Sequence, residues 1–196
     1  MTTRNEVDTV LSGSTGTGSF VGSTSPTLVT PTLGAATATT LTFSPTTGGI
    51  VGTTTNDDTN AGNVGEVISS VVLSGSAVSM ATNTTKDVTT ISLTAGDWDV
   101  WSELWINSAA STQITFIGFG INTTSATLIS VPTLSASYTQ LVGVTYTSGG
   151  TGYPVSNTAV CRLSLSGTTT VYLSAKLTFT VSTASTYGKI LARRRR

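Results

Sequence analysis

Three carboxylates and two indoles crowd one short run of this 196-residue chain. Asp97, Asp99 and Glu103 share a parity with Trp101 and Trp105, so in an extended segment all five point to one side. Carboxyl pairs about 5–5.5 Å apart serve retaining glycoside hydrolysis, and pairs about 6.5–9.5 Å apart serve the inverting kind. Alternate strand residues lie roughly 7 Å apart, so distance alone admits that chemistry. A facing acid is missing, because the other carboxylates after residue 65 are Glu66 and Asp87. The acids are therefore expected to solvate turns and an edge, and catalysis is not expected. The indoles say more. Trp101 and Trp105 oppose Trp98, Leu104 and Ile106, so one sandwich interior cannot bury both sets. Exposed indoles stack on sugar rings or seal a subunit interface, and a charge-poor chain favours the interface. Tyr138 and Tyr146, which share a face of a second alternating run, join Trp101 and Trp105 as candidate ligand or trimer-interface residues.

The chain has no histidine, which removes Ser-His and Cys-His dyads and the commonest zinc ligand. Its one cysteine, Cys161, alternates with Leu163 and Leu165 and reads as a small core residue. Residues 56–60 carry oxygen ligands but not the EF-hand Gly and Glu positions. No metal and no cofactor is expected. Formal net charge is zero, so no long-range field steers the chain to nucleic acid. The exception is the run from Arg193 to Arg196. Without basic or aromatic support elsewhere it reads as a solvated terminus or a cluster closing on acidic neighbours.

These residues need strands to hold them. Residues 168–185 alternate at nearly every step, with Val171, Leu173, Ala175, Leu177, Phe179 and Val181 on one side. Such a strand needs a second sheet over its apolar face. Similar runs cover 66–73, 76–81, 88–93, 97–107, 112–121, 128–131, 137–147, 160–165 and 187–192, while residues 149–152 read as a loop. Residues 112–121 carry Ile114 and Phe116 on one parity and Ile117, Phe119 and Ile121 on the other, which predicts burial on both faces, in a trimer or in the core. Eight or nine strands in about 130 residues fit an all-β, jelly-roll-like β-sandwich. Only 9% of residues are charged, so hydroxyls must wet its surface.

The first third differs. Residues 1–13 offer Val7, Val10 and Leu11 on one face of a short segment, read as an anchoring peg that orders on a partner. Residues 14–63 are rich in Thr, Ser, Gly and Pro and have too few large apolar groups for a core of their own. They read as an extended β-type stalk that borrows its core from identical chains, or as a linker. Residues 64–196 are the expected β-sandwich tip. No apolar stretch follows Met1 as in a signal peptide, and no window reaches the length of a membrane span.

The run from Gly16 to Gly34 resembles the connecting segments of tailed-bacteriophage fibre proteins. Asn63-Val64-Gly65-Glu66, the run from Ser92 to Val100, the runs Arg162-Leu163-Ser164-Leu165 and Thr170-Val171-Tyr172-Leu173, and the ending from Tyr187 to Arg193 resemble the C-terminal module of tail and head fibres. The resemblance implies a homotrimeric virion fibre with a stalk and a sandwich tip. Its implied partners are copies of itself, an attachment protein of the tail or capsid, and a host-surface glycan or protein. The alternative is a head fibre or capsid decoration protein without a receptor. Neither implies nucleic-acid binding or membrane insertion.

Overall fold

A computed structural model describes residues 54–129, 133–147 and 150–196, except the side chains of 144–147, 150, 151 and 153. These belong to a compact unit spanning Thr53–Arg196. The peg residues Val7, Val10 and Leu11, and the stalk as far as residue 53, lie outside the described residues.

Ten strands build the unit: β1 (Val67–Val72), β2 (Val78–Ser79), β3 (Thr85–Leu93), β4 (Gly96–Ser108), β5 (Gln113–Asn122), β6 (Ser137–Thr147), β7 (Gly150–Asn157), β8 (Cys161–Leu165), β9 (Thr169–Thr180) and β10 (Ala184–Arg194). They pair antiparallel in two sheets. Sheet A runs β1-β10-β4-β7, with β2 also on β10 and β8 also on β4, while sheet B runs β3-β9-β5-β6. Because β3, the β5–β6 pair and β9 lie in sheet B while the strands before and after each lie in sheet A, the chain wraps repeatedly across the sandwich. This is the wrapped double-sheet order of a jelly roll.

The core sits between the sheets. From sheet A come Trp98, Val100, Leu104 and Ile190; from sheet B come Ile117, Phe119, Leu173 and Leu177. All are essentially sealed from solvent. Strict alternation achieves this on β4, where Trp98, Val100, Ser102, Leu104 and Ile106 are buried, turning Asp97, Asp99, Trp101, Glu103 and Trp105 outward.

Four expectations need correction. The apolar residues of β5 do not make a strand buried in apolar contacts on both faces. The register slips between Ile114 and Phe116 against both neighbouring strands, and Thr115 is the extra residue opposite β9. This bulge returns Ile114 to the face of Ile117, Phe119 and Ile121. All four are buried within one subunit, so Ile117, Phe119 and Ile121 are core residues rather than trimer contacts. Phe116 is left half-buried on the outer face. Val181 does not extend the buried face of β9, which ends at Thr180. Val181 takes a positive φ of 79° in the turn and is 82% exposed. Residues 150–152, expected as part of a loop, open strand β7, because Gly and Pro are tolerated beside a bulged edge pairing. The run 76–81 contributes only the two-residue β2, entered from a single 3-10 turn at Ser74–Ser76.

Candidate functional site

Strand β4 carries the outward residues and β10 supplies their cross-strand partners. The register sets Tyr187 beside Trp105, Lys189 beside Glu103, Leu191 beside Trp101 and Arg193 beside Asp99. Beyond β10, β1 adds Val71 next to Lys189 and Val67 next to Arg193, both exposed. The outer face of sheet A is thus an aromatic and aliphatic platform crossed by one charged row.

That row is closed on itself. The Trp105 indole Nε1 donates to Glu103 Oε1 at 2.7 Å, and Lys189 Nζ donates to Glu103 Oε2 at 2.8 Å. Lys189 first, then the indole, holds the Glu103 carboxyl below its usual range against the opposing effect of burial. The Trp105 and Tyr187 rings lie 6.0 Å apart and tilted by 33°, within the range of favourable ring pairs. Trp101 and Trp105 are half-buried on this face.

At the far end of β4 the arginines meet their acids. Arg194 points into the core side: its Nε donates to Glu66 Oε2 at 2.8 Å and its Nη1 to the Ala95 carbonyl at 2.8 Å. The guanidinium also stacks 4.2 Å over the Trp98 ring. Both partners of the Arg194–Glu66 pair are buried, and the hydrogen bond from Arg194 pulls the Glu66 carboxyl down. Arg195 pairs with Asp99 at 3.5 Å, and Arg162 with Asp97 at 2.8 Å. Arg196 also reaches Asp97. Arg162 above all, with Ser164 and Arg196, holds the buried Asp97 carboxyl far below the usual carboxylate range. A glycosidase's general acid needs its pKa raised, and Asp97 and Glu103 move the opposite way. Arg194 to Arg196, at the end of β10 and just beyond it, close on acidic neighbours, while Arg193 stands exposed across from Asp99.

Beside this end lies a cavity of about 640 Å³ lined by Asp99, Arg162, Arg195, Leu134, Val160 and Tyr138 among others. It opens where β8, at the edge of sheet A, meets the segment leading into β6; the Arg162 backbone N–H donates to the Leu134 carbonyl there at 3.1 Å.

Tyr138 is not brought onto the platform of Trp101 and Trp105. It pairs with Gly120 in sheet B. Its hydroxyl donates to Gln140 at 2.8 Å, and burial pushes its pKa up. Tyr146 stands opposite Ile114 on β6, and its side chain lies outside the described residues. Cys161 is buried, and burial pushes its thiol up to about 11, so it is a poor nucleophile. Sequence reasoning missed Tyr187, Lys189 and Leu191 as platform members. Their shared parity was visible, but only the β4–β10 register places them beside the indoles.

No family model and no curated protein sequence matches the chain. A chain in the structure of infectious bursal disease virus Gx strain is similar at a TM-score of 0.38 and 11% identity, over 75% of this chain and 38% of that one. This chain therefore spans well under half the length of that neighbour.

Proposed function

We propose that the chain is a bacteriophage virion structural protein: a trimeric fibre whose sandwich faces outward and engages the host-cell surface during adsorption. One observation carries the reading, the outer face of sheet A. A free monomer would leave Trp101, Trp105, Tyr187 and Leu191 half wetted between exposed Val67 and Val71. Aromatic residues framed by paired charges are the composition of a subunit interface, with an apolar centre and polar rim. The fibre-like wording of the runs from Gly16 to Gly34 and from Ser92 to Val100 supports the same reading, as does a surface wetted by hydroxyls. A low-affinity contact in each copy would gain avidity from three copies per fibre and many fibres per particle.

Two measurements test it. Light scattering of the purified chain should give about three times 20.0 kDa, and the protein should compete with particles for adsorption to host cells. A monomer at micromolar concentration overturns the fibre. Particles that lack the protein, adsorb normally and break more easily would replace adsorption with a coating role.

A further inference from the structure

We infer that the cavity beside the end of β4 binds an acidic sugar unit, its carboxylate on Arg162 and Arg195 and its ring against Leu134 and Val160. The inference deepens the adsorption reading and rests on it for its biological meaning. The cavity, at about 640 Å³, lies within the ~300–1,000 Å³ typical of small-ligand sites. Its charge favours an anion. Arg162, Arg195 and Arg196 gather around Asp97 and Asp99, three guanidinium groups to two side-chain carboxylates.

Arg162 gives one terminal nitrogen to Asp97 and Arg195 pairs through Nε with Asp99. A guanidinium carries five N–H donors in a planar fork that fits a carboxylate. Both side chains are about half exposed, at 47% and 52%, so their spare donors are reachable.

Much of the remaining lining is apolar. Leu134 is 89% and Val160 62% exposed, and Ile129 joins them in the lining. These side chains can meet the C–H face of a pyranose. Ser137 and Thr133 in the lining can meet its hydroxyls. Tyr138 is the one aromatic residue among the described lining, and its hydroxyl is already bonded to Gln140. A lone ring is a poor base-stacking platform, which disfavours a nucleic acid.

Titration of the full-length chain with tetragalacturonate, maltotetraose and an octathymidylate tests this, read by calorimetry at low and high salt. Tetragalacturonate should bind, lose affinity as salt rises, and exceed maltotetraose by at least about tenfold. Arg195→Gln should weaken it by about tenfold, since one charge-assisted contact is lost. Leu134→Asp should weaken it further, and at 89% exposure the change leaves the fold intact, checked by its melting temperature. Equal binding of maltotetraose, unchanged affinity in both variants, or tighter Arg195-dependent binding of the octathymidylate would overturn the assignment. The two readings fail separately. Galacturonate binding without competition for cells removes adsorption and leaves the site. Competition that both variants retain undiminished leaves adsorption and removes the site.

Discussion

The two outer faces of the sandwich meet water by different chemistry. On sheet A the outward row of β4 carries indoles and carboxylates, and from Asp99 to Trp105 each faces a ring, chain or cation on β10. On sheet B the central outward positions of β5 are Phe116, Gly118 and Gly120. A Cβ at Gly118 would meet the Phe116 ring and the Tyr138 hydroxyl, so neighbouring rings fill that space. Around them stand Thr178, Lys176 and Ser174 of β9, with the Ser174 hydroxyl donating to Asp87 at 2.6 Å. Sheet B therefore covers its glycine floor with its own side chains. Sheet A pairs its outward carboxylates with cations but leaves apolar groups half wetted, and the proposed contact with other molecules rests on that asymmetry.

The largest effects should come from positions that hold sheet A together. Gly188 lies at a φ of 151° opposite Leu104, and a Cβ there would run into the Glu103 carbonyl oxygen. Gly188→Ala must part β10 from β4, and a loss above about 3 kcal/mol is expected in chemical denaturation. Arg194→Met comes next. It strands the buried Glu66 carboxylate without its cation, at a cost on the order of 3 kcal/mol, whereas adding Glu66→Gln should recover part of that loss. The same pair sets an acid limit. The folded Glu66 carboxyl is pulled below its ordinary value of 4.5, so its contribution is complete above that pH. It fades as pH falls through the lower folded value. Thermal melts from pH 6 to 3 should show the parent losing stability below pH 4.5. The Arg194→Met, Glu66→Gln chain should lose less over the same interval.

How far the sequence announced this arrangement depends on how local the signal was. Alternation placed Trp98, Val100, Leu104 and Ile106 in the core of β4 and Trp101 and Trp105 outside it, because period two is a property of the single strand. The same rule failed at β5, where one bulged residue exchanges the faces and nothing local marks Thr115 as the extra residue. It failed again at residue 181, since valine is a strand former by type and a poor candidate for a left-handed turn. The candidate site was half legible. The indoles declared themselves by parity, but their β10 partners and the Arg162, Arg195 and Leu134 grouping depend on non-local pairing. Periodicity carries no information about that.

A smaller effect sharpens the contrast between the faces. Trp105→Ser should cost the monomer about 1–2 kcal/mol through the lost contact with Tyr187, yet abolish self-association seen by light scattering. Phe116→Ser on sheet B, which removes a half-buried ring 5.9 Å from Lys176, should leave association unchanged. If Phe116→Ser dissociates the assembly while Trp105→Ser does not, the contact belongs to sheet B and the roles of the faces are exchanged.

The smallest effect has the opposite sign. Val181 holds a φ of 79° at the turn between β9 and β10, a conformation that costs an L-residue about 1–2 kcal/mol and a β-branched one most of all. With 82% of its surface exposed, its side chain returns little by packing. Asparagine tolerates the left-handed region because its short polar chain bonds locally. Val181→Asn should therefore stabilise the unit by about 1 kcal/mol, raising Tm by about 2–4 °C. This turn joins a strand of sheet B to a strand of sheet A, so relief of its strain should leave both outer faces and their binding unchanged. A variant that melts lower would mean that Val181 is held in place by contacts its exposure does not suggest.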